Sequence, residues 1–218
     1  MAELFRLDPR RSNFVAIVGR KGSGKSTLAR RFFNGYPFDK VVIDVTGDEG
    51  AAVPGVQEIR DPLPLRWPTN ADRTPTVLRY QPDMGSATVL EDTDVIFRWA
   101  MTHQKRSAVW VDENESIMPV QRTPANALRL LHQGRHRNVT LIVTQIRPVH
   151  VNRLVFSQAD YVAVYQVPDP DDRKTIAKSI GWPPREFDEL VHGLAPYEFL
   201  WYDAHAHELA HCDPIPVG

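Results

Sequence analysis

The sequence has little of three things, and each scarcity excludes a class of protein. Its single cysteine, Cys212, excludes an internal disulfide framework and favours a reducing compartment. No apolar run approaches the ~20 residues of a membrane-spanning helix, and the charged segment 1–11 lacks the apolar stretch of a secretion signal. The net charge of −1 excludes a protein that coats nucleic acid through bulk positive charge, although it leaves room for a local basic patch.

Lysine is also scarce, because 20 of the 26 basic residues are arginine and only 6 are lysine. A guanidinium group binds phosphates and carboxylates in a planar, two-pronged geometry that an ammonium group cannot offer. A GC-rich coding genome explains the same bias, so the composition leaves both interpretations open.

Hydrophobic patterning predicts alternating strands and helices along the 218 residues, a length that suits one α/β domain. Segment 46–75, rich in glycine, proline and aspartate, is predicted to be a loop-rich insertion, with or without a short helix. The alternation predicts a mainly parallel central sheet flanked by helices, with a terminal β-hairpin at about 197–213. We therefore expect a single domain over 1–218 with its core at about 13–202. The predicted strands are 13–18, 40–45, 76–80, 107–111, 139–143, 160–167 and 198–202, and the predicted helices are 25–33, 91–103, 125–135, 171–180 and 185–191.

A phosphate-binding loop follows the first predicted strand. It matches the pattern G-x-x-x-x-G-K-[ST] and lies between a strand and a helix, as the mechanism requires. Glycines let the backbone N–H groups wrap a phosphate, and the helix N-terminus favours its negative charge. Lys25 is expected to contact the β- and γ-phosphates, and Ser26 to coordinate Mg²⁺. The fold class is therefore that of a P-loop NTPase with ATP and Mg²⁺ as cofactors. The expected nucleotide-binding residues are Gly19, Arg20, Lys21, Gly22, Ser23, Gly24, Lys25, Ser26 and Thr27.

Two carboxylates follow another buried strand, in the run from Ala108 to Glu113. Four apolar residues and then two acids is the Walker B pattern of a nucleotide hydrolase. Asp112 is expected to hold Mg²⁺ through its water shell, and Glu113 to polarise the attacking water. The same acidic pair could instead cap a helix.

The strand at 139–143 ends in Thr144 and Gln145, and a basic helix end precedes it at 134–138. In a P-loop sheet this strand lies beside the phosphate-loop strand, so Gln145 is a candidate sensor of the γ-phosphate; a plain polar strand end is the alternative. Arg135 is a candidate arginine finger for a neighbouring subunit. Alternatively, the basic residues only complement the dipole of a helix C-terminus.

Taken in order, these residues resemble the FtsK/HerA superfamily of DNA-pumping ATPases, over roughly residues 13–202. The order is the phosphate loop, Ile43-Asp44, Val111-Asp112-Glu113, and a stretch at 134–148 with a basic helix end, an apolar strand, Thr-Gln and Arg-Pro. The chain departs from the family at Asp44-Val45-Thr46-Gly47, where many relatives have Asp-Pro-Lys-Gly. A motor of this short length resembles the genome-packaging ATPases of tailless, membrane-containing double-jelly-roll viruses.

The resemblance implies a RecA/FtsK-like fold and an ATP-hydrolysing translocase of double-stranded DNA, most simply a viral packaging motor. It further implies a homo-oligomeric, hexameric ring in which Arg135 acts in trans as a catalytic residue beside Lys25, Glu113 and Gln145. It also implies a partner at the capsid vertex or in a membrane, and a location in the host cytoplasm or at the packaging vertex of the virion. In such a ring the loops facing the axis contact DNA phosphates, and the candidates are Arg122 in the loop after the Walker B strand, and Arg66 and Arg73 in the insertion.

Three other functions stay open on the sequence. One is a cellular HerA-type or conjugation-type DNA motor, which shares every motif above. Another is a Zot-like P-loop assembly or switch protein that does not move DNA. A small-molecule kinase fits less well, because acids directly after an apolar strand suit a hydrolase better.

Overall fold

A central β-sheet organises the chain. The computed structural model describes residues 7–8, 10–47, 55–62, 74–103 and 105–216. Within them, nine strands form one sheet in the order β3-β4-β2-β5-β6-β1-β7-β8-β9. The strands are β1 Phe14–Val18, β2 Asp39–Ile43, β3 Gln57–Ile59, β4 Val77–Tyr80, β5 Ser107–Val111, β6 Val139–Gln145, β7 Tyr161–Val164, β8 Phe199–Asp203 and β9 Glu208–Cys212.

Strands β1 to β7 pair in parallel, so they all end at one edge of the sheet, which we call the carboxyl edge. Strand β8 runs antiparallel to β7, and β9 antiparallel to β8. The beginning of β8 therefore lies at the carboxyl edge too. The mainly parallel sheet and the terminal hairpin that the sequence predicts are both confirmed.

Helices cover both faces of this sheet. Side chains alternate along each strand, so Val15 and Ile17 of β1 face one side while Ala16 and Val18 face the other. The first side packs against α1, and the second against the remaining long helices. Burial on both faces explains why central strands such as β1 and β5 are apolar almost without interruption. The helices are α1 Lys25–Gly35, α2 Val89–Thr102, α3 Ala125–Gln133, α4 Leu154–Ser157, α5 Pro170–Ile180 and α6 Pro184–His192.

The insertion differs from expectation in its described parts, 46–47, 55–62 and 74–75. There the chain forms the edge strand β3 and no helix. In β3, Gln57 and Glu58 are exposed and Ile59 is half-buried, a pattern that does not predict a strand from sequence. This edge strand is stabilised by pairing with β4 rather than by burial. Arg66 and Arg73 lie outside the described residues. Among the helices of the described residues, none is long and apolar enough to cross a bilayer.

Candidate functional site

The sheet topology gathers the predicted motifs around one cleft. Strands β5, β6 and β1 are neighbours, so the segments that follow them meet at the carboxyl edge. The cleft there has a volume of 580 Å³, within the range of about 300–1,000 Å³ typical of small-molecule sites. Its lining residues are Lys21, Gly22, Ser23, Gly24, Lys25, Ser26, Thr27, Arg30, Thr46, Asp112, Glu113, Thr144, Gln145, Ile146 and Tyr197.

The phosphate loop has the shape that its glycines predict. Gly22 and Gly24 have φ values of +74° and +105°, in the region that side-chain-bearing residues rarely adopt. At Gly19 a Cβ atom would lie 2.6 Å from the Cβ of Tyr165, so glycine is needed there for close packing. Gly24 directly precedes α1, so the first N–H groups of that helix open toward the cleft. Such a terminus is a ready anion site.

Lys25 lies in the first turn of α1 and is buried. Its ammonium donates a hydrogen bond to the Arg20 carbonyl at 2.9 Å, across the phosphate loop. Burial lowers the pKa of Lys25, and the carboxylates of Glu115, Asp112 and Glu113 partly oppose that change. A poorly solvated cation among backbone donors is well suited to bind a polyphosphate.

Asp112 directly follows β5 and is almost fully buried. The Thr144 hydroxyl donates to its Oδ1 at 2.5 Å, and the Thr46 hydroxyl to its Oδ2 at 3.4 Å. Burial raises the pKa of this carboxyl, and the hydrogen bond from Thr144 opposes the rise. A carboxylate held rigidly beside Ser26 in one cleft is a donor set of the kind that Mg²⁺ takes together with substrate phosphates.

Glu113 has a left-handed backbone, with φ 47° and ψ 56°, and directly precedes a short turn, Asn114–Ser116. Such a conformation is unfavourable for a residue other than glycine and tends to occur at functional sites. Burial raises the pKa of Glu113, and repulsion from Glu115 and Asp112 raises it further. A carboxylate with a raised pKa is a better proton acceptor than an ordinary surface glutamate.

Two residues that sequence reasoning missed connect this turn to Gln145. The Asn114 amide nitrogen donates to Gln145 Oε1 at 3.4 Å, and Glu115 Oε1 accepts the backbone N–H of Ile146 at 3.0 Å. Both residues belong to a short 3₁₀ turn, Asn114–Ser116. In the sequence, the only indication of these two contacts is the run Asp-Glu-Asn-Glu. Four successive polar residues after a buried strand are more than a helix cap requires.

Buried polar atoms without a hydrogen-bond partner concentrate at this edge. Of the seven such side-chain atoms among the described residues, four belong to the phosphate loop, the Asn114–Ser116 turn and the end of β6. They are Ser23 Oγ, Asn114 Oδ1, Glu115 Oε2 and Gln145 Nε2. Buried polar groups are normally satisfied, so this clustering fits a polar ligand with bound water or metal at the same place.

Arg135 lies far from this cleft within its own chain. It begins a 3₁₀ turn, Arg135–Arg137, that leads into the opposite end of β6. Its guanidinium donates to the Gln158 carbonyl at 2.7 Å and pairs with Asp160 at 3.0 Å, and its side chain is 51% exposed. Arg135 therefore cannot serve the cleft of its own subunit.

Of the candidate DNA contacts, only Arg122 falls within the described residues. It is exposed in the loop between β5 and α3, where its backbone N–H donates to the Pro119 carbonyl at 3.2 Å. The loop is attached to the segment after β6 by a bridge between Pro119 and Val151. Arg122 thus lies between the Walker B strand and α3, in a loop that contacts the segment after β6.

Two further arginines stabilise segments that lead from the carboxyl edge, and the sequence did not single out either role. Arg147 binds Asp172 at 2.7 Å and Asp169 at 2.9 Å, which joins the end of β6 to the start of α5. Arg79 of β4 pairs with the buried carboxylate of Asp44 after β2. Asp44 also accepts the Gly47 N–H at 3.0 Å, so here it shapes the turn that carries Thr46.

Known proteins resemble the chain over almost its full length. It is 25% identical over 213 residues to the DNA packaging ATPase P9 of Enterobacteria phage PRD1. The aligned region covers 94% of this chain and 88% of that protein. The genome packaging NTPase B204 of Sulfolobus turreted icosahedral virus 2, solved in complex with AMPPCP, matches with a TM-score of 0.76 and 20% identity over 96% of this chain and 100% of its own. VirB4 of Thermoanaerobacter pseudethanolicus matches with a TM-score of 0.66 and 13% identity over 97% of this chain and 92% of its own.

No protein-family model matches the chain. The likeness to the solved structures establishes the α/β fold of P-loop packaging ATPases that the sequence predicts. The similarity to genome-packaging ATPases that the sequence predicts is confirmed by these relatives.

Proposed function

We propose that the chain is an ATP-hydrolysing motor that moves double-stranded DNA in viral genome packaging. One observation carries the proposal: a single cleft brings the phosphate loop together with Lys25, Asp112, Glu113 and Gln145. The similarity to a phage DNA packaging ATPase supports the assignment of DNA as the substrate.

The phosphates of ATP are bound by the loop before α1. Backbone N–H groups at the helix N-terminus surround them, and Lys25 exchanges its bond to the Arg20 carbonyl for phosphate oxygens. Ser26 and Asp112 hold Mg²⁺, which neutralises charge on the phosphates. Thr144 and Thr46 orient Asp112 for that task through their hydroxyl groups.

Glu113 then accepts a proton from the water that attacks the γ-phosphate, while the bond from the γ-phosphorus to the β,γ-bridging oxygen breaks and ADP leaves. Its raised pKa suits this role, because a stronger base removes the proton more readily. Gln145 lies at the same edge with its Nε2 unpaired and contacts the γ-phosphate or the water. Since Asn114 binds Gln145, a change at the phosphate is transmitted to the Walker B turn and to the loop that follows it.

Assembly into a hexameric ring completes the site in this proposal. Arg135 leaves Asp160 and Gln158 and enters the cleft of a neighbouring subunit, where a guanidinium stabilises charge that develops on the transferred phosphoryl group. DNA passes through the ring and is held at its phosphates by Arg122, Arg66 and Arg73. The ring works in the host cytoplasm or at the virion packaging vertex, against a capsid or membrane protein.

The test is ATP hydrolysis by the Glu113→Gln variant, with and without duplex DNA. The amide keeps the size of the side chain but accepts no proton, so kcat should fall by at least about 10²-fold while ATP still binds. Glu189→Gln on α6 is the matched control, since Glu189 is exposed and does not line the cleft. Near-normal turnover by Glu113→Gln would exclude Glu113 as the base.

DNA decides between a motor and a nucleotide switch. Turnover of the wild-type protein should rise when duplex DNA is added at low salt. Turnover that duplex DNA leaves unchanged, in a protein that hydrolyses ATP, would favour a P-loop assembly or switch protein over a motor.

A further inference from the structure

Arg30 of α1 and Tyr197, which comes just before β8, line the same cleft as the phosphate loop and the carboxylates. We propose that Tyr197 is the platform on which the purine ring of the nucleotide stacks. This rests on the proposed function, because it assigns the nucleoside end of the same nucleotide site.

The order of the strands predicts where the γ-phosphate and the nucleoside of a bound nucleotide lie along the carboxyl edge. Glu113 follows β5 and Gln145 ends β6, on one side of the phosphate-loop strand β1; β7 and β8 lie on the other side. Because β8 is antiparallel, the residue before it stands at the carboxyl edge, two strands or roughly 10 Å from β1. A triphosphate whose γ-phosphate points to Glu113 and Gln145 therefore directs its nucleoside toward Tyr197.

Tyr197 has an energetically unfavourable backbone conformation, of a kind that tends to occur at ligand-binding sites. Its φ is +67°, which is unusual for a bulky side chain, and the residue is 58% exposed. The turn is held in place from both ends, since Glu198 Oε2 accepts the Ala195 N–H at 2.8 Å and the Glu198 N–H donates to the Ala195 carbonyl at 3.2 Å. His211 of β9 fixes Glu198 in turn, at 3.0 Å. An exposed aromatic side chain that lines a cleft, on a turn held by these hydrogen bonds, suits a binding surface.

The chemistry of a tyrosine ring defines the class of ligand. Each nucleobase has a flat π-face, and stacking on an aromatic ring depends little on which base is present. Recognition of the base by Tyr197 alone therefore predicts weak discrimination between ATP and GTP. Affinity for either nucleotide should exceed that for inorganic tripolyphosphate, which lacks the stacking group.

The experiment measures Mg²⁺-dependent binding of ATP, GTP and inorganic tripolyphosphate by calorimetry. Tyr197→Gly should weaken both nucleotides about tenfold and leave tripolyphosphate within about twofold, whereas Tyr197→Phe should bind all three like the wild type. Glycine adopts a positive φ without strain, so Tyr197→Gly should unfold at no lower temperature than the wild type. Asparagine also tolerates this conformation, and Tyr197→Asn serves as a second variant.

Phe38→Ala is the matched control, because Phe38 is 38% exposed and lies before β2, at the opposite edge of the sheet. It should leave all three affinities unchanged. Unchanged affinity of Tyr197→Gly for ATP and GTP would refute the stacking role of Tyr197, but it would not contradict the proposed ATPase activity. Equal losses for nucleotide and tripolyphosphate would also refute the stacking role. A wild-type protein that binds none of the three would overturn the proposed function and the platform together.

Discussion

Replacing Arg135 with alanine should abolish ATP hydrolysis by the assembled ring without unfolding the subunit. Within one chain the residue is out of reach of the cleft. Strand β6 has seven residues, Val139–Gln145, and spans about 20 Å, with Gln145 at the cleft and Arg135 beyond the other end. Any catalytic effect of Arg135 must therefore be exerted on a neighbouring subunit.

The structural cost of the substitution is small. The Arg135 side chain is half exposed, so its pair with Asp160 stabilises the subunit by at most about 1 kcal/mol. Asp160 keeps two other partners, because it accepts the Phe14 N–H at 2.7 Å and pairs with His205 at 3.0 Å. A loss of about 1 kcal/mol lowers Tm by roughly 2–4 °C for a domain of this size. An arginine finger is worth about 10³–10⁵ in rate, so the two effects are easily separated.

The assay mixes two inactive proteins, Arg135→Ala and Lys25→Ala. In a ring assembled at random from equal amounts, about one interface in four combines an intact Lys25 with an intact Arg135 from the neighbour. Up to about a quarter of wild-type turnover should then return. Arg137→Ala, in the same turn, is the matched control and should stay within about twofold of the wild type.

Two results would refute this reasoning. One is a mixture that stays inactive although labelled subunits of both kinds enter the same ring. The other is full turnover by isolated wild-type monomers at concentrations too low for assembly.

The remaining predictions concern the cleft and the DNA. Glu115→Ala removes the acceptor of the Ile146 N–H, so kcat should fall about tenfold or more with little change in KM for ATP, and an unchanged kcat would contradict a positioning role. Burial raises the pKa of the Asp112 carboxyl in the folded protein. Without Mg²⁺, this group therefore stabilises the folded state at pH values below its ordinary pKa, and the stabilisation is lost as the pH rises. Asp112→Asn should therefore raise Tm relative to the wild type more at pH 8 than at pH 3 in thermal unfolding; an equal shift at both pH values would argue against a buried charge. Duplex DNA affinity, measured by fluorescence anisotropy, should fall steeply with salt and be similar for two unrelated sequences, whereas a strong preference between them would point to contacts with base edges.

Much of the fold and the phosphate site could be read from the sequence, because the relevant interactions are local. The glycines, Lys25 and Ser26 belong to one uninterrupted strand–loop–helix segment, and their spacing alone defines the backbone shape. Burial on both faces makes the central parallel strands β1, β5 and β6 largely apolar, so the sequence predicts each of them to within two residues. Asp112 and Glu113 could be placed at the carboxyl edge because they directly follow such a strand.

The other features depend on residues that are distant in sequence. Strand β3 exists only because β4 pairs with it, and Glu115 contacts Ile146 only because β5 and β6 are neighbours. Tyr197 reaches the cleft because β8 reverses direction beside β7, a pairing that no spacing along the chain reveals. The chemistry of each segment can be inferred from its own residues, since a motif needs only its own backbone. Which segments meet depends on the folded chain, because sheet order and strand direction arise from burial and hydrogen bonding shared by all the strands.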